Sequence, residues 1–202
     1  MYRPLAISML SLALCGWTVA VASPLATALQ PTTGQADDAA QTEPKPAETL
    51  RILDSFSFTV PADWQRQRAA SPIVEHEFKI PNPQGGDAPT GRVTMMAASG
   101  DVAANISRWE EQFGKKNPPK IDKQTVGEQT IHMVQLSGTF KDSMGGGPFA
   151  GGKTVMRENY GMLGAIIELK NGAKYFVKVT GPNDLIEANV KAFKEMLAGI
   201  KN

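Results

Sequence analysis

The chain has 202 residues, of which 42% are hydrophobic and 20% are charged, a composition typical of a soluble globular protein. This length is enough for one domain or two small ones. Lys and Arg together number 21 and Asp and Glu number 20, so the net charge is only +1. The strongly basic balance of nucleic-acid-binding domains is therefore missing, and we expect no nucleic-acid partner.

The N-terminal segment is typical of a secretory signal peptide. Arg3 precedes an uncharged run of apolar and small residues, 5–22. The run ends on Ala-Val-Ala, which fits the small-residue pattern of a cleavage site, and Ala-Thr-Ala at 26–28 is a second such site. We expect residues 1–22 to be removed on export, with cleavage as late as residue 28 as an alternative. The other alternative is an uncleaved membrane anchor, since about 18 apolar residues can just span a bilayer.

Cys15 is the one cysteine of the chain and lies inside the predicted signal peptide. The string L-A-L-C is close to a lipoprotein cleavage site, but Leu14 stands where such a site needs a small residue. Once the signal peptide is removed, the sequence has no thiol for a disulfide, a nucleophile or a metal ligand.

The rest of the chain divides into a tether and a domain. Residues 23–50 are rich in Pro, Thr, Gln and Ala, offer little apolar surface to bury, and are predicted to be a disordered tether. Residues 51–202 are predicted to form a single α+β domain. A domain of roughly 150 residues buries about 70% of the surface of its unfolded chain, enough for its own core.

Three predicted strands open the domain. Phe56, Phe58 and Val60 alternate with polar residues, as in a half-buried strand. Residues 73–80 alternate in the same way, and residues 92–98 follow after a loop rich in Gly and Pro. The first two segments are therefore predicted to be half-buried strands, and the third is predicted to be a further strand.

A helix is predicted next, from the N-cap Asp101 to about residue 116. Ile106, Trp109 and Phe113 recur at helical spacing and form its buried stripe. A Pro-Pro pair then ends the helix.

Four more strands and a second helix complete the prediction. The strands are at residues 121–126, 130–140, 162–169 and 175–180. Gly127 and the Asn171-Gly172 pair mark hairpin turns between them. Asn183 or Asp184 is expected to cap the last helix. Its apolar stripe is Ile186, Val190, Phe193, Leu197 and Ile200.

This order of elements predicts an α+β fold. Hairpin-linked strands favour an antiparallel sheet, here of about six to seven strands, and the two amphipathic helices are expected to flank it.

The glycine-rich segment 141–152 carries the strongest motif match. Residues 147–154, G-P-F-A-G-G-K-T, fit the phosphate-loop pattern G-x-x-x-x-G-K-[ST] letter for letter. Such a loop leaves a buried parallel strand and enters a helix directly. Here the preceding strand is predicted to end near residue 140, and two glycines in the ten residues after Thr154 argue against a helix. We interpret the match as coincidental and expect no nucleotide or other cofactor; its residues are Gly147, Gly152, Lys153 and Thr154.

The same segment has two other interpretations. It is either a plain hairpin connection or a loop, 141–153, that contacts a ligand or partner, because long glycine-rich loops can approach other molecules closely. The candidate contact residues are Gly146, Gly147, Phe149, Gly151, Lys153 and Arg157.

The titratable residues give no catalytic or metal centre. His76 and His132 each share a strand face with apolar residues and lie on different strands, without a companion at metal-ligand spacing. The sequence has no G-x-S-x-G motif and no evident acid/base couple, so no catalytic residue is predicted. Glu168 and Lys178 are expected to form a surface ion pair across the last hairpin. Tyr175, like Trp109, is expected to pack in the sheet.

Three segments carry a resemblance to a known family. They are F-S-F-T-V-P-A-D-W from Phe56, N-I-S-R-W-E-E-Q-F from Asn105, and Y-F-V-K-V-T-G-P before the terminal helix. In this order they resemble PsbP-like domains, over roughly residues 56–201. The resemblance implies an α/β/α sandwich and a non-enzymatic accessory or assembly role on the outer side of a membrane. The chain is also similar to small exported bacterial proteins of unknown function that share Y-G-M-L-G-A-I-I-E.

We therefore expect an exported, periplasmic or secreted, non-enzymatic binding or accessory domain. Its expected partner is an envelope or extracellular protein, with membrane contact only through the signal segment if that segment stays uncleaved. The alternative is a protein that binds a small ligand or metal with loop 141–153 and either His132 or Arg157. A third alternative, an enzyme, depends on the phosphate-loop match alone.

Overall fold

The computed structural model describes residues 47–144 and 153–202. The predicted signal peptide and all but the end of the predicted tether lie outside these residues. So do five residues of the glycine-rich segment that were singled out from the sequence: Gly146, Gly147, Phe149, Gly151 and Gly152.

The described residues form nine strands and two helices. In chain order these are β1 (Thr49–Ile52), β2 (Phe56–Thr59), β3 (Gln65–Gln67), β4 (His76–Ile80), β5 (Gly91–Ala98), α1 (Val102–Gln112), β6 (Lys120–Val126), β7 (Gln129–Met144), β8 (Lys153–Glu168), β9 (Lys174–Pro182) and α2 (Asn183–Ala198).

The main sheet has seven strands in the order β3-β4-β5-β9-β8-β7-β6, and every neighbouring pair is antiparallel. Strands β1 and β2 form a separate antiparallel hairpin. The α+β class and the antiparallel sheet are thus as the sequence predicts. Hairpin turns at Gly127 and Gly172 have φ of 57° and 82°, which glycine adopts without strain.

The two helices pack on opposite faces of this sheet, giving the α/β/α arrangement. Strand β8 shows the division most clearly, because its successive side chains point to opposite faces. Leu163, Ala165 and Ile167 join the core that includes α2 and the β1–β2 hairpin. Met162 and Ile166 join the smaller cluster under α1.

Helix α1 begins and packs as its sequence predicts. The Asp101 carboxylate accepts a 3.0 Å hydrogen bond from the Ala104 N–H, which caps the helix. Ile106, Trp109 and Phe113 are all buried. The helix ends at Gln112, earlier than predicted, since the chain turns into left-handed backbone two residues later, where Gly114 has a φ of 68°.

Helix α2 lacks the predicted side-chain cap. Pro182 occupies the N-cap position and no side chain caps the helix. Neither Asn183 nor Asp184 therefore has the predicted role, because both lie inside the first turn. The apolar stripe of this helix packs on the sheet as predicted.

The folded part begins before residue 51, inside the segment predicted as tether. Leu50 is 5% exposed and packs in the main core. The Glu48 carboxylate accepts a 2.6 Å hydrogen bond from Arg66 Nη2. Within the described part of the chain, neither helix is long and apolar enough to cross a membrane.

Candidate functional site

Strands β7 and β8 run past the rest of the sheet. The pairing of β8 with β9 ends at Tyr160 and Pro182, whereas the pairing of β8 with β7 continues to Lys153 and Met144. Residues 140–144 and 153–157 are therefore a two-stranded extension, here called the β7–β8 ribbon. Five residues of extended chain reach about 15 Å. Residues 145–152, which separate the two ribbon strands in the sequence, lie outside the described residues.

A β-bulge marks the base of the ribbon. Gly138 pairs with Tyr160, and the next pair is Phe140 with Arg157. Strand β7 therefore advances by two residues where β8 advances by three. The extra residue brings Asn159 to a φ of 53° and reverses the alternation beyond it. Arg157 and Tyr160 consequently share one face, and the Arg157 guanidinium carbon lies 5.6 Å from the centre of the Tyr160 ring.

That face lines a cavity of about 330 Å³. Two of its lining residues contact the end of α1, since Lys178 hydrogen-bonds to Gln112 and the Phe140 ring packs against Phe113. The cavity is here called the α1-face cavity. Four charged and two aromatic side chains line it: Arg92 of β5, Lys178 of β9, Asp142, Arg157, Phe140 and Tyr160.

Lys178 is the central cation of the cavity. Its Nζ donates a hydrogen bond to Gln112 Oε1 of α1 and lies 5.6 Å from the centre of the Phe140 ring. None of the ion pairs among the described residues includes Lys178, although the negative charge of Asp142 acts to raise its pKa. Burial lowers the pKa of Lys178 to about 8, with a smaller contribution in the same direction from the charge of Arg92.

Arg92 is held in place by a buried carboxylate. Its Nε and Nη2 donate hydrogen bonds of 2.8 and 3.2 Å to the two carboxylate oxygens of Glu77. Glu77 also accepts a 2.9 Å hydrogen bond from the Ala70 N–H. The hydrogen bond from Arg92 is the largest of the effects that hold the pKa of Glu77 below its ordinary value. The guanidinium is thus fixed at the cavity wall.

Arg157 is held in a similar way by Asp142, across the ribbon. Arg157 Nε donates a 2.7 Å hydrogen bond to Asp142 Oδ2, and this bond raises the pKa of Arg157. The Phe140 and Tyr160 rings lie parallel within 6°, with their centres 6.2 Å apart. The cavity therefore combines fixed cations with a flat apolar wall.

Two of the four residues of the phosphate-loop match, Lys153 and Thr154, are among the described residues. Lys153 and Thr154 begin strand β8, whereas a phosphate loop leads directly into a helix. Of the predicted loop-contact residues, only Arg157 lies in the described cavity lining. Lys153 is the first residue of the ribbon on β8.

His132 and Arg157, which are the two alternative partners of the loop in the ligand-binding hypothesis, lie far apart. His132 pairs with Ile166, nine positions along β8 from Arg157, which is about 30 Å of extended chain. His132 Nε2 lies 2.8 Å from Glu168 Oε2. His76 is half-buried beside Arg66, 3.4 Å from its guanidinium. Among the described residues, no group of three or more His, Cys, Asp or Glu side chains is arranged to hold a metal ion.

The predicted ion pair between Glu168 and Lys178 is wrong. In the register of the β8–β9 hairpin, Glu168 faces Lys174 and Lys178 faces Gly164. Glu168 Oε1 accordingly lies 3.7 Å from Lys174 Nζ. The Lys178 side chain instead lines the α1-face cavity. Tyr175 is fully buried in the sheet, as predicted.

Comparisons with known proteins find a similar solved structure but no matching family model and no matching curated protein. Among solved structures, the chain is similar to the solution structure of cyanobacterial PsbP (CyanoP) from Synechocystis sp. PCC 6803, with 10% identity and a TM-score of 0.47. The similarity covers 83% of this chain and 99% of that one. This neighbour belongs to the family that the sequence resemblance names.

Proposed function

We propose that this chain is an exported, non-enzymatic accessory domain that binds an envelope or extracellular protein through the β7–β8 ribbon. The signal-peptide pattern of residues 1–22 supports export. The sequence contains no catalytic motif, which favours a binding role over an enzymatic one.

The observation that carries the proposal is the extension of the ribbon beyond its neighbours. Strand β6 pairs with β7 only as far as Gln135, and β9 pairs with β8 only as far as Tyr160. Each ribbon strand therefore has one edge whose backbone N–H and C=O groups have no strand partner among the described residues. Such an edge is a template on which an extended segment of another protein can add as a further strand.

The exposed face of the ribbon suits a protein partner as well. Met156 is 54% exposed and faces Lys141 across the ribbon. A flexible, polarisable Met side chain adapts its shape to an apolar partner surface. Together with the edges, this face offers backbone hydrogen bonds and side-chain contact in one place.

Site-specific photo-cross-linking in cells of the source organism tests the proposal. A photoreactive amino acid replaces Met156 on the ribbon or, as the control, Ile121 on the far edge strand β6. The two side chains are matched in exposure, at 54% and 53%. We expect a discrete cross-linked envelope protein from position 156 that position 121 does not capture. Identical cross-linking at both positions would contradict a role for the ribbon.

Export is tested separately on the same cells. The mass of the mature protein is expected to correspond to a chain that begins after residue 22, or after residue 28. A chain of full length in the cytoplasmic fraction would contradict the exported role, whatever the cross-linking shows.

A further inference from the structure

We infer that the α1-face cavity binds a small organic anion, whose carboxylate or phosphate group pairs with Lys178 and Arg92 and whose body lies against Phe140 and Tyr160. This site is distinct from the ribbon edges and does not depend on a protein partner.

Together with Glu77, the side chains at the cavity carry one more positive charge than negative charge, which favours binding of an anion. Arg157 is matched by Asp142, and Arg92 is matched by Glu77, each through a short hydrogen bond. Lys178 has Gln112, a neutral amide, as its hydrogen-bond partner. A half-buried cation without a carboxylate partner is unfavourable, so an entering anion supplies the missing charge.

The cations are held in place before a ligand arrives. Glu77 fixes the guanidinium of Arg92, and Gln112 fixes the ammonium group of Lys178. Ligand binding therefore does not have to order these long side chains, which otherwise reduces affinity. In the sheet register, Thr94 lies opposite Lys178 and Thr180 lies opposite Arg92, so two hydroxyl-bearing residues accompany the two cations.

The volume of the α1-face cavity and its two aromatic rings restrict the size and shape of the ligand. A volume of about 330 Å³ is at the small end of the range of small-molecule pockets. The parallel Phe140 and Tyr160 rings provide an apolar surface beside the cations. A compact anion with a flat or apolar body fits this combination better than a long or highly polar one.

Binding of an anion is expected to be coupled to the protonation of Lys178. The charged groups that face Lys178 are Arg92 from β5, Asp142 from β7 and Arg157 from β8, while α1 contributes the neutral Gln112. A bound anion favours the charged ammonium form, so affinity is expected to fall as the pH rises above about 8.

Isothermal titration calorimetry of the purified exported protein with inorganic phosphate and with benzoate tests the site. The Lys178→Met variant keeps the length and apolar stem of the side chain and removes the charge. Lys174→Met is the matched control, because Lys174 lies on the same strand and face but pairs with Glu168 outside the cavity. We expect Lys178→Met to weaken binding at least about tenfold and Lys174→Met to leave it unchanged.

The titration with the two probes tests whether the cavity binds an anion and which chemical class of anion it prefers. Binding of phosphate alone would support the site with a phosphate compound as ligand, and binding of benzoate, alone or more tightly, would support an aromatic carboxylate. Failure of both probes to bind the native protein would overturn the inference, as would equal binding by the native protein and Lys178→Met.

A measurement on the native protein alone covers the case in which Lys178→Met does not fold. Titrations at pH 8 in two buffers of different ionisation enthalpy give the number of protons taken up on binding. We expect net proton uptake, since the anion raises the protonated fraction of Lys178. Binding without proton uptake would overturn the role of Lys178 in the site.

Discussion

Arg157 donates its 2.7 Å hydrogen bond to Asp142 diagonally across the β7–β8 ribbon, because Asp142 directly faces Val155 and Arg157 directly faces Phe140. The bond exists because of the bulge at Asn159. In a regular strand, Arg157 and Tyr160 would lie on opposite faces, since three positions separate them. The bulge therefore connects the two proposed sites: it starts the ribbon and turns Arg157 into the cavity.

The backbone of Asn159 can be tested by substitution. Its φ of 53° lies in the left-handed region, which Asn and Gly tolerate and β-branched residues do not. We expect Asn159→Val to lower the free energy of unfolding by about 1–2 kcal/mol. Asn159→Gly is the control and is expected to leave that free energy nearly unchanged. Urea unfolding measures both, and an equal loss in the two variants would contradict the argument from φ.

Gly164 is expected to be intolerant of any side chain. A Cβ at this position would lie 2.5 Å from Cζ3 of the buried Trp109 ring, so the ring or the strand would have to move. Overpacking of this kind costs about 1–3 kcal/mol, which is the loss expected for Gly164→Ala in urea unfolding. In a Trp109→Leu background the same substitution should cost much less. Equal costs in the two backgrounds would show that the loss has another origin.

The alternation of apolar residues predicts most of the fold, because each long strand buries one or both faces. Strand β3 shows where this signal fails. It consists of Gln65, Arg66 and Gln67, all exposed, and exists only because it pairs with the edge of β4. Strand β1 gives no signal in the sequence for a different reason, since its four residues follow a long polar stretch and carry only two buried side chains.

The residues that line the α1-face cavity are harder to predict from the sequence than the strands and helices. The sequence predicts Lys178 as a surface residue that pairs with Glu168. Its half-buried state depends on α1, which lies 66 residues away from it in the chain at Gln112. Arg157 is predicted as a candidate contact residue that acts together with the glycine-rich loop. The bulge that turns it into the cavity leaves no recognisable pattern in the sequence, because Asn occurs in many contexts.

Glu77 is expected to contribute to stability in a pH-dependent way. Its folded pKa lies below the ordinary value, chiefly because Arg92 hydrogen-bonds to the ionised form. The contribution is therefore complete above the ordinary carboxyl pKa, about 4.3, and is lost as the pH falls through the lower folded value. We expect Glu77→Gln to cost about 1–3 kcal/mol at pH 7 and progressively less below about pH 4.

A surface ion pair provides the control for Glu77. Glu128 pairs with Lys170, and the two side chains are 52% and 69% exposed. Glu128→Gln is expected to change the free energy of unfolding by less than about 1 kcal/mol at either pH, since exposed pairs contribute little. Denaturant unfolding at pH 7 and at pH 3.5 measures both variants. A cost for Glu77→Gln that stays the same at both pH values would rule out the ionised pair as its cause.

Lys178 is expected to reduce stability in the absence of a ligand, with the opposite dependence on pH. Its folded pKa of about 8 lies below the ordinary 10.5, so between these values the unfolded chain binds a proton that the folded protein has released. The free energy of unfolding contributed by this group therefore rises from about pH 8 to about pH 10.5. Lys178→Met is expected to raise stability at pH 7 by about 0.5–2 kcal/mol and to remove that rise.

The difference in unfolding free energy between native protein and Lys178→Met isolates this effect from other titrating groups. It is expected to favour the variant at pH 7 and to shrink by pH 10.5; a constant difference would contradict the lowered pKa. A saturating anion should reverse the order at pH 7. At a hundred times its dissociation constant, a ligand stabilises the folded state by about 2.7 kcal/mol, and only the native protein keeps the cation that binds it. The same lysine would then destabilise the empty cavity and stabilise the filled one, because its charge lacks a partner until the anion is bound.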